Sequence, residues 1–283
     1  MPISEAELDV AVELALRAAH FAALIIDKAM LERESALMDF ASKATSVDLV
    51  TQYDKQCEEE VLTILRTTTP HYDILSEETH SSVELSDKPT WVVDPIDGTT
   101  SFIHGLFDCC VSIALVVDKE PVLGVVSAPR LHEVYSAVRG RGAYCNGQRI
   151  HVSERRTLQE SVVLLHVAVN RTAPAVNSYL AMQKELACIP VHAVRCHGSA
   201  ALDMCFVAGG RAELYFEVGT YAWDIAAAAV IVREAGGVVH NIDNAEFLDI
   251  MSRGFCCANS LGLSRLGMEL STKHNYKEAT LGI

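Results

Sequence analysis

Basic residues are scarce in this chain of 283 residues: 23 Lys and Arg stand against 37 Asp and Glu, a formal net charge of −14 at pH 7. That balance argues against nucleic acid or an anionic membrane as partner. No apolar run reaches the length needed to span a bilayer. The start, Met1 to Glu7, lacks the basic and apolar regions of a signal peptide, so a cytoplasmic location is expected. Nine cysteines, an odd number, include no Cys-x-x-Cys pair. Cys109-Cys110 and Cys256-Cys257 lie in apolar segments and read as reduced core residues, not as a disulfide framework. Tandem repeats, low-complexity tracts and long Pro, Gly or Ser linkers are also absent. Half of the residues (50%) are hydrophobic, enough to bury a sizeable core. The length suits one domain over 1–283, built as two packed halves of about 1–152 and 153–283.

Chemistry concentrates between Trp91 and Gly105. Trp91-Val92-Val93 is a short apolar run suited to a buried strand. Asp94 puts a carboxylate at its end, and Pro95, which cannot donate to a ladder, predicts that the strand stops there. Asp97-Gly98 is a turn signal. Thr99, Thr100 and Ser101 can cap a helix starting at about Phe102. Asp94 and Asp97 are hard oxygen ligands that can converge on Mg²⁺. The N–H groups around Gly98 and Thr99, at a helix start, favour a phosphate. An isolated Asp-x-x-Asp is usually a solvated loop. Here a buried strand, two acids, a glycine and a hydroxyl-rich helix start coincide.

Elsewhere the pattern alternates between the two main periodicities. Ser4 and Glu7 form a capping box for a helix to about Met30, with Leu8, Val12, Leu16 and Ala19 on one face. Residues 31–50 read as a mobile loop, in which Lys43 could approach a phosphate. A second helix is expected over about 49–66, with Asp54 within it. Ile74-Leu75 is a short apolar start, and Glu77 or Glu78 after it could join Asp94 at a metal. Residues 110–117, 122–128 and 133–138 read as an antiparallel meander, with a glycine-rich hairpin at 140–147. The second half predicts strands over 161–167, 191–196, 212–217, 238–240 and 254–258. Its helices are expected over 173–186, from Gly198-Ser199-Ala200 to about Val207, over 223–235 closed by Gly236-Gly237, and over 261–270. Asp224, opening the third of these after the strand acid Glu217, is a plausible third metal carboxylate.

Trp91–Gly105 resembles the first signature of the inositol monophosphatase family, and Trp223–Gly237 resembles the second. Ser76-Glu77-Glu78-Thr79 is similar to its Gly-Glu-Glu-Ser segment, and Val47 to Asp54 to its early helix motif. The resemblance spans about residues 5–270. It implies a layered α-β-α-β-α sandwich, an α+β or α/β fold, and a homodimer. It implies that Glu77, Asp94, Asp97, Asp224 and the Ile96 carbonyl bind Mg²⁺, two to three ions per site. Glu77, Thr99 and Asp54 would be catalytic, with Asp54 orienting Thr99 and Thr99 the attacking water. Glu77, Ile96, Asp97, Gly98, Thr99, Gly198, Ser199, Ala200, Glu217 and Asp224 would contact the substrate. Ser76 stands where the family has glycine, and Ser101 where asparagine is frequent. Neither departure removes a ligand.

The activity implied is Mg²⁺-dependent hydrolysis of a phosphate monoester of a small polyol, inositol 1-phosphate foremost, with sensitivity to lithium. Two alternatives stay open. One is a sibling phosphatase acting on histidinol phosphate, a sugar bisphosphate or a nucleotide 3′-phosphate. The other is a catalytically silent binding or regulatory subunit. No Asp-x-Asp-x-Thr is present, and no covalent phosphoenzyme is expected.

Overall fold

The computed structural model describes residues 3–33, 38–43, 49–167 and 169–282. Helix α1 (Glu5–Arg33) starts on the expected box: the Ser4 N–H donates to Glu7 Oε2 at 2.9 Å, and the Glu7 N–H donates to Ser4 Oγ at 3.3 Å. Leu8 and Ala19 are buried on it, but Leu16 is exposed. The buried stripe runs instead through small residues, Ala11, Ala15, Ala18 and Ala22, which let α1 lie close to its neighbours. Part of the expected loop over 31–50 is ordered: strand β1 (Ala41–Ser42) pairs antiparallel with β2 (Leu49–Val50). Residues 34–37 and 44–48, including Val47 and Asp48 of the early motif, lie outside the described residues. Helix α2 runs over Gln52–Thr68, three residues later than expected at its start, because Thr51 caps it.

Strands β3 (Asp73–Ser76) and β4 (Thr90–Asp97) pair in parallel. The short helix α3 is Thr99–His104. It begins earlier than the expected Phe102, with Gly98 as N-cap and no hydroxyl cap. Strands β5 (Cys110–Val117), β6 (Glu120–Ala128), β7 (Glu133–Val138), β8 (Gly142–Cys145) and β9 (Gln148–Arg149) complete the meander as a seven-stranded sheet. The chain then supplies β10 (Val162–Leu164), α4 (Ala173–Cys188), β11 (Ala193–Arg195), α5 (Ala200–Ala208), β12 (Leu214–Val218), α6 (Ala222–Glu234), β13 (Val238–Asn241) and β14 (Gly254–Ala258). The five strands form a second sheet in the order β11-β10-β12-β14-β13. It closes with α7 (Leu261–Lys273) and α8 (Tyr276–Leu281), the latter not expected from the sequence.

Period-two alternation sorts these strands into layers. Val93, Ile113 and Val125 face α1 and α2, while Val92, Ala114 and Val126 face α5 and α6. On the second sheet Tyr215 and Phe255 face α6, and Leu214, Phe216 and Cys256 face the outer helices α4, α7 and α8. The order is therefore α-β-α-β-α, as the resemblance implied. Helix α6 is buried on nearly every side, and Ala226 to Ala229 let both sheets close on it. Gly124 on β6 belongs to this fit, because a Cβ there would lie 2.1 Å from the Ala227 carbonyl oxygen. All nine cysteines are free. Among the described residues no helix is long and apolar enough to cross a membrane.

Candidate active site

Residues three apart on a regular strand point to opposite faces. Asp94 and Asp97 escape this rule because β4 does not stop at Pro95. It continues with a bulge: Asp94 pairs with Ser112 and Asp97 with Cys110, so two residues on β4 oppose one on β5. The extra residue re-aims the strand, and both carboxylates turn toward α5 and α6. Pro95 needs no ladder donor there. Asp224 arrives from the first turn of α6, where its Oδ2 accepts the Tyr221 N–H at 2.7 Å. Carboxylate oxygens of Asp94, Asp97 and Asp224 lie within 4.8 Å of one another.

Glu77 follows the end of β3, its N–H bonded to the Val93 carbonyl at 3.2 Å. Its side chain interacts with Asp94. Lys43 bridges the neighbouring pair, 2.7 Å from Glu77 Oε1 and 2.6 Å from Glu78 Oε1. Lys43 is thus a cation paired with the acids at the end of β3.

Burial dominates the electrostatics. Burial, then Glu77, Asp97 and Asp224, push Asp94 well above the usual carboxylate range. Asp224 is raised by burial, then by Asp97 and Glu77. Burial raises Asp97 to about 6, against the Ser199 hydroxyl (2.6 Å) and the Ala201 N–H (2.7 Å) that hold its Oδ2. Burial raises Glu77 to about 7 despite Lys43. Carboxylates this dense cannot all ionise without a cation. An all-oxygen, acid-rich donor set suits a hard divalent ion, so these residues fit Mg²⁺.

Beside the acids, the Thr99 hydroxyl lies 3.1 Å from Asp54 Oδ1 and 3.1 Å from the Ile96 carbonyl. Asp54 is wholly buried at the third position of α2. Its Oδ2 accepts the Thr51 N–H (2.7 Å) and hydroxyl (2.6 Å). Gly98 has φ of 89°, and a Cβ there would meet the Asp108 carbonyl at 2.6 Å, so the residue must be glycine.

A cleft of about 810 Å³ opens above the acids, lined by Glu77, Asp97, Asp224, Glu217, Gly198 and Ala200 among others. Ser199 departs from expectation. It is wholly buried, and its hydroxyl donates to Asp97 and caps α5, so it supports a ligand and does not face the cleft. Sequence reasoning passed over Asp203, which is fully buried in α5 and contacts both His166 and His197. An acid inside the apolar run Ala200–Ala208 was the available signal. The chain also holds one Cys-x₅-Arg span, Cys205 to Arg211. Burial pushes the Cys205 thiol far up, and Arg211 is paired with Glu133, so this span is not a nucleophile loop.

A five-layered fold that gathers buried carboxylates at a strand bulge and a helix start is that of a metal-dependent phosphatase. The chain belongs to the inositol monophosphatase family, whose model matches residues 6–276. It is 39% identical over 226 residues to inositol monophosphatase 1 of Homo sapiens, covering 79% of this chain and 81% of that one. It resembles the extragenic suppressor protein suhB of Bartonella henselae with a TM-score of 0.84 and 29% identity, covering 93% of this chain and 99% of that one. The inositol monophosphatase of Anabaena matches with a TM-score of 0.80 and 29% identity, covering 94% and 96%.

Proposed function

We propose that this phosphatase hydrolyses inositol 1-phosphate to inositol and phosphate with Mg²⁺. The observation that carries the reading is the convergence of Asp94, Asp97 and Asp224 next to the Thr99–Asp54 pair. Glu77, Asp94, Asp97, Asp224 and the Ile96 carbonyl would hold roughly two to three Mg²⁺ ions. When bound, such ions offset the phosphate's charge and lower the pKa of a water. Asp54 takes the hydrogen of the Thr99 hydroxyl, which leaves Thr99 lone pairs to accept from the attacking water. Glu77 joins them as a catalytic group in its ionised form, which a bound cation favours over the neutral carboxyl that burial otherwise promotes. The N–H groups of Gly98 and Thr99 receive the phosphate, and Glu217, with the Gly198–Ala200 backbone, holds the alcohol's hydroxyls. We assign the working form as one catalytic domain per chain, paired as a cytoplasmic homodimer.

A second reading has its own observation. Arg171 and Arg253 line the same cleft, and neither forms a salt bridge among the described residues. The Arg253 guanidinium is fixed by the Thr220 and Gly219 carbonyls, at 2.8 and 2.7 Å, over the Tyr221 ring. Such a pair favours a substrate with a second anionic group, a sugar bisphosphate or a nucleotide. A turnover screen over inositol 1-phosphate, histidinol phosphate, fructose 1,6-bisphosphate and adenosine 3′,5′-bisphosphate tests both. Highest kcat/KM on inositol 1-phosphate supports the first reading, and highest kcat/KM on a bisphosphate replaces it.

A further inference from the structure

No step of the hydrolysis uses His166 or Asp203, which lie under the far wall of the cleft. His166 follows β10 and is buried, yet it lines the cleft. Its Nε2 lies 2.7 Å from Asp203 Oδ2, and its Nδ1 lies 3.2 Å from Glu217 Oε2. Asp203 Oδ1 meets His197 Nδ1 at 2.6 Å. The Tyr215 hydroxyl donates to Glu217 Oε2 from the same strand and stands 3.4 Å from His166 Nδ1.

A neutral imidazole has one N–H and one lone pair. With a carboxylate at each nitrogen, the neutral ring would aim its lone pair at an anion. The imidazolium donates to both, so two carboxylates select the charged ring. Burial alone would discharge it, but Glu217 and Asp203 outweigh burial and hold His166 well above the usual histidine range. Placing an acid within the apolar helix α5 costs desolvation. An apolar residue would fill that space at lower cost if packing were the only requirement. The charge chain has a direction: it starts on buried Asp203 and ends on Glu217, which lines the cleft.

We propose that His166 is a positioning residue that selects the alcohol half of the substrate. Anchored on Asp203, it pins the Glu217 carboxylate in the orientation that accepts a substrate hydroxyl. The proposal rests on the assignment of Glu217 to the alcohol. Its consequence is selective: an ester whose alcohol carries no hydroxyl gains nothing from His166.

The test compares kcat and KM for inositol 1-phosphate and for 4-nitrophenyl phosphate in the full-length wild type, His166→Leu, His166→Gln and Asp203→Asn, with thermal melting as the folding control. KM for inositol 1-phosphate is expected to rise roughly tenfold or more in His166→Leu, the scale of a lost hydrogen bond to a charged group. His166→Gln, which keeps a donor, should recover part of that loss, while kcat/KM for 4-nitrophenyl phosphate stays at the wild-type value. If His166→Leu does not fold, Asp203→Asn carries the test and should show the same selective rise. Equal losses on both esters, or no change on either, overturn the proposal. A wild type inert toward both esters overturns the hydrolytic reading, and the role of His166 falls with it.

Discussion

The Thr99 hydroxyl and the Asp54 carboxylate, 45 positions apart in sequence, meet at 3.1 Å. The contact joins the first residue of α3 to the third residue of α2. Thr51 fixes the other Asp54 oxygen through two bonds, so the acid has one free direction, and it points at Thr99.

The pair should therefore act as a unit. Asp54→Asn is expected to lower kcat by roughly 10²–10⁴, the usual span of general acid–base help. Thr99→Ala should do the same, and the double variant should be little worse than either. Mg²⁺ affinity should stay near wild type in all three. The measurement is a double-mutant cycle on kcat with Mg²⁺ binding followed by calorimetry. Additive losses, or a large fall in Mg²⁺ affinity in Asp54→Asn, would make Asp54 a ligand or an ordinary helix acid.

Stability of the metal-free protein should depend on pH in an unusual direction. Folding raises Asp97 from 3.8 to about 6 and Glu77 from 4.5 to about 7. Across that window the folded chain binds more protons than the unfolded one, so stability falls as pH rises. Bound Mg²⁺ requires the ionised forms and stabilises only the folded state. The Mg²⁺-induced rise in Tm should thus be larger at about pH 7.5 than at about pH 5. An equal rise at both values would mean that these carboxylates do not hold the ion.

Gly124 gives a prediction about the scaffold alone. Gly124→Ala would push a methyl into the Ala227 carbonyl, 2.1 Å away. Backbone cannot yield there as a flexible side chain would. Overpacking of this kind costs about 1–3 kcal/mol, or more, so Tm should fall measurably by calorimetry. An unchanged Tm would mean that β6 and α6 are not held at this spacing.

Much of this scaffold is legible in the sequence. The meander strands are long apolar runs broken by turn residues, and α6 is marked by its alanine run and closing glycines. Asp94, Asp97 and Asp224 stand out as acids at element ends. The bulge at Pro95 was not legible, because proline signals a strand end as readily as a bulge. Nor was the inward turn of Ser199, since a helix-capping hydroxyl looks the same whether it faces a cleft or a buried carboxylate. The His166–Asp203–Glu217 chain joins three separate elements, which local periodicity does not connect.

Lithium offers a further check. The family resemblance implies that Li⁺ takes the Asp94/Asp97/Asp224 site after hydrolysis and retains the product phosphate. Inhibition of inositol 1-phosphate turnover by Li⁺ should therefore be uncompetitive with substrate. Steady-state rates over a grid of Li⁺ and substrate would show parallel double-reciprocal lines. Competitive lines, or insensitivity to Li⁺, would remove Asp224 from the ligand set or change the substrate class.

The central claim is that charge at Asp94 assembles the metal site that hydrolyses the ester, and Asp94→Asn tests it most directly. The substitution keeps the shape of a buried side chain but removes the charge shared among Glu77, Asp97 and Asp224. Turnover of inositol 1-phosphate should be measured across a Mg²⁺ titration, with circular dichroism and melting recorded on the same samples. The account predicts a folded protein with weakened Mg²⁺ binding and no turnover at any Mg²⁺ concentration. Turnover near wild type at saturating Mg²⁺ would contradict it.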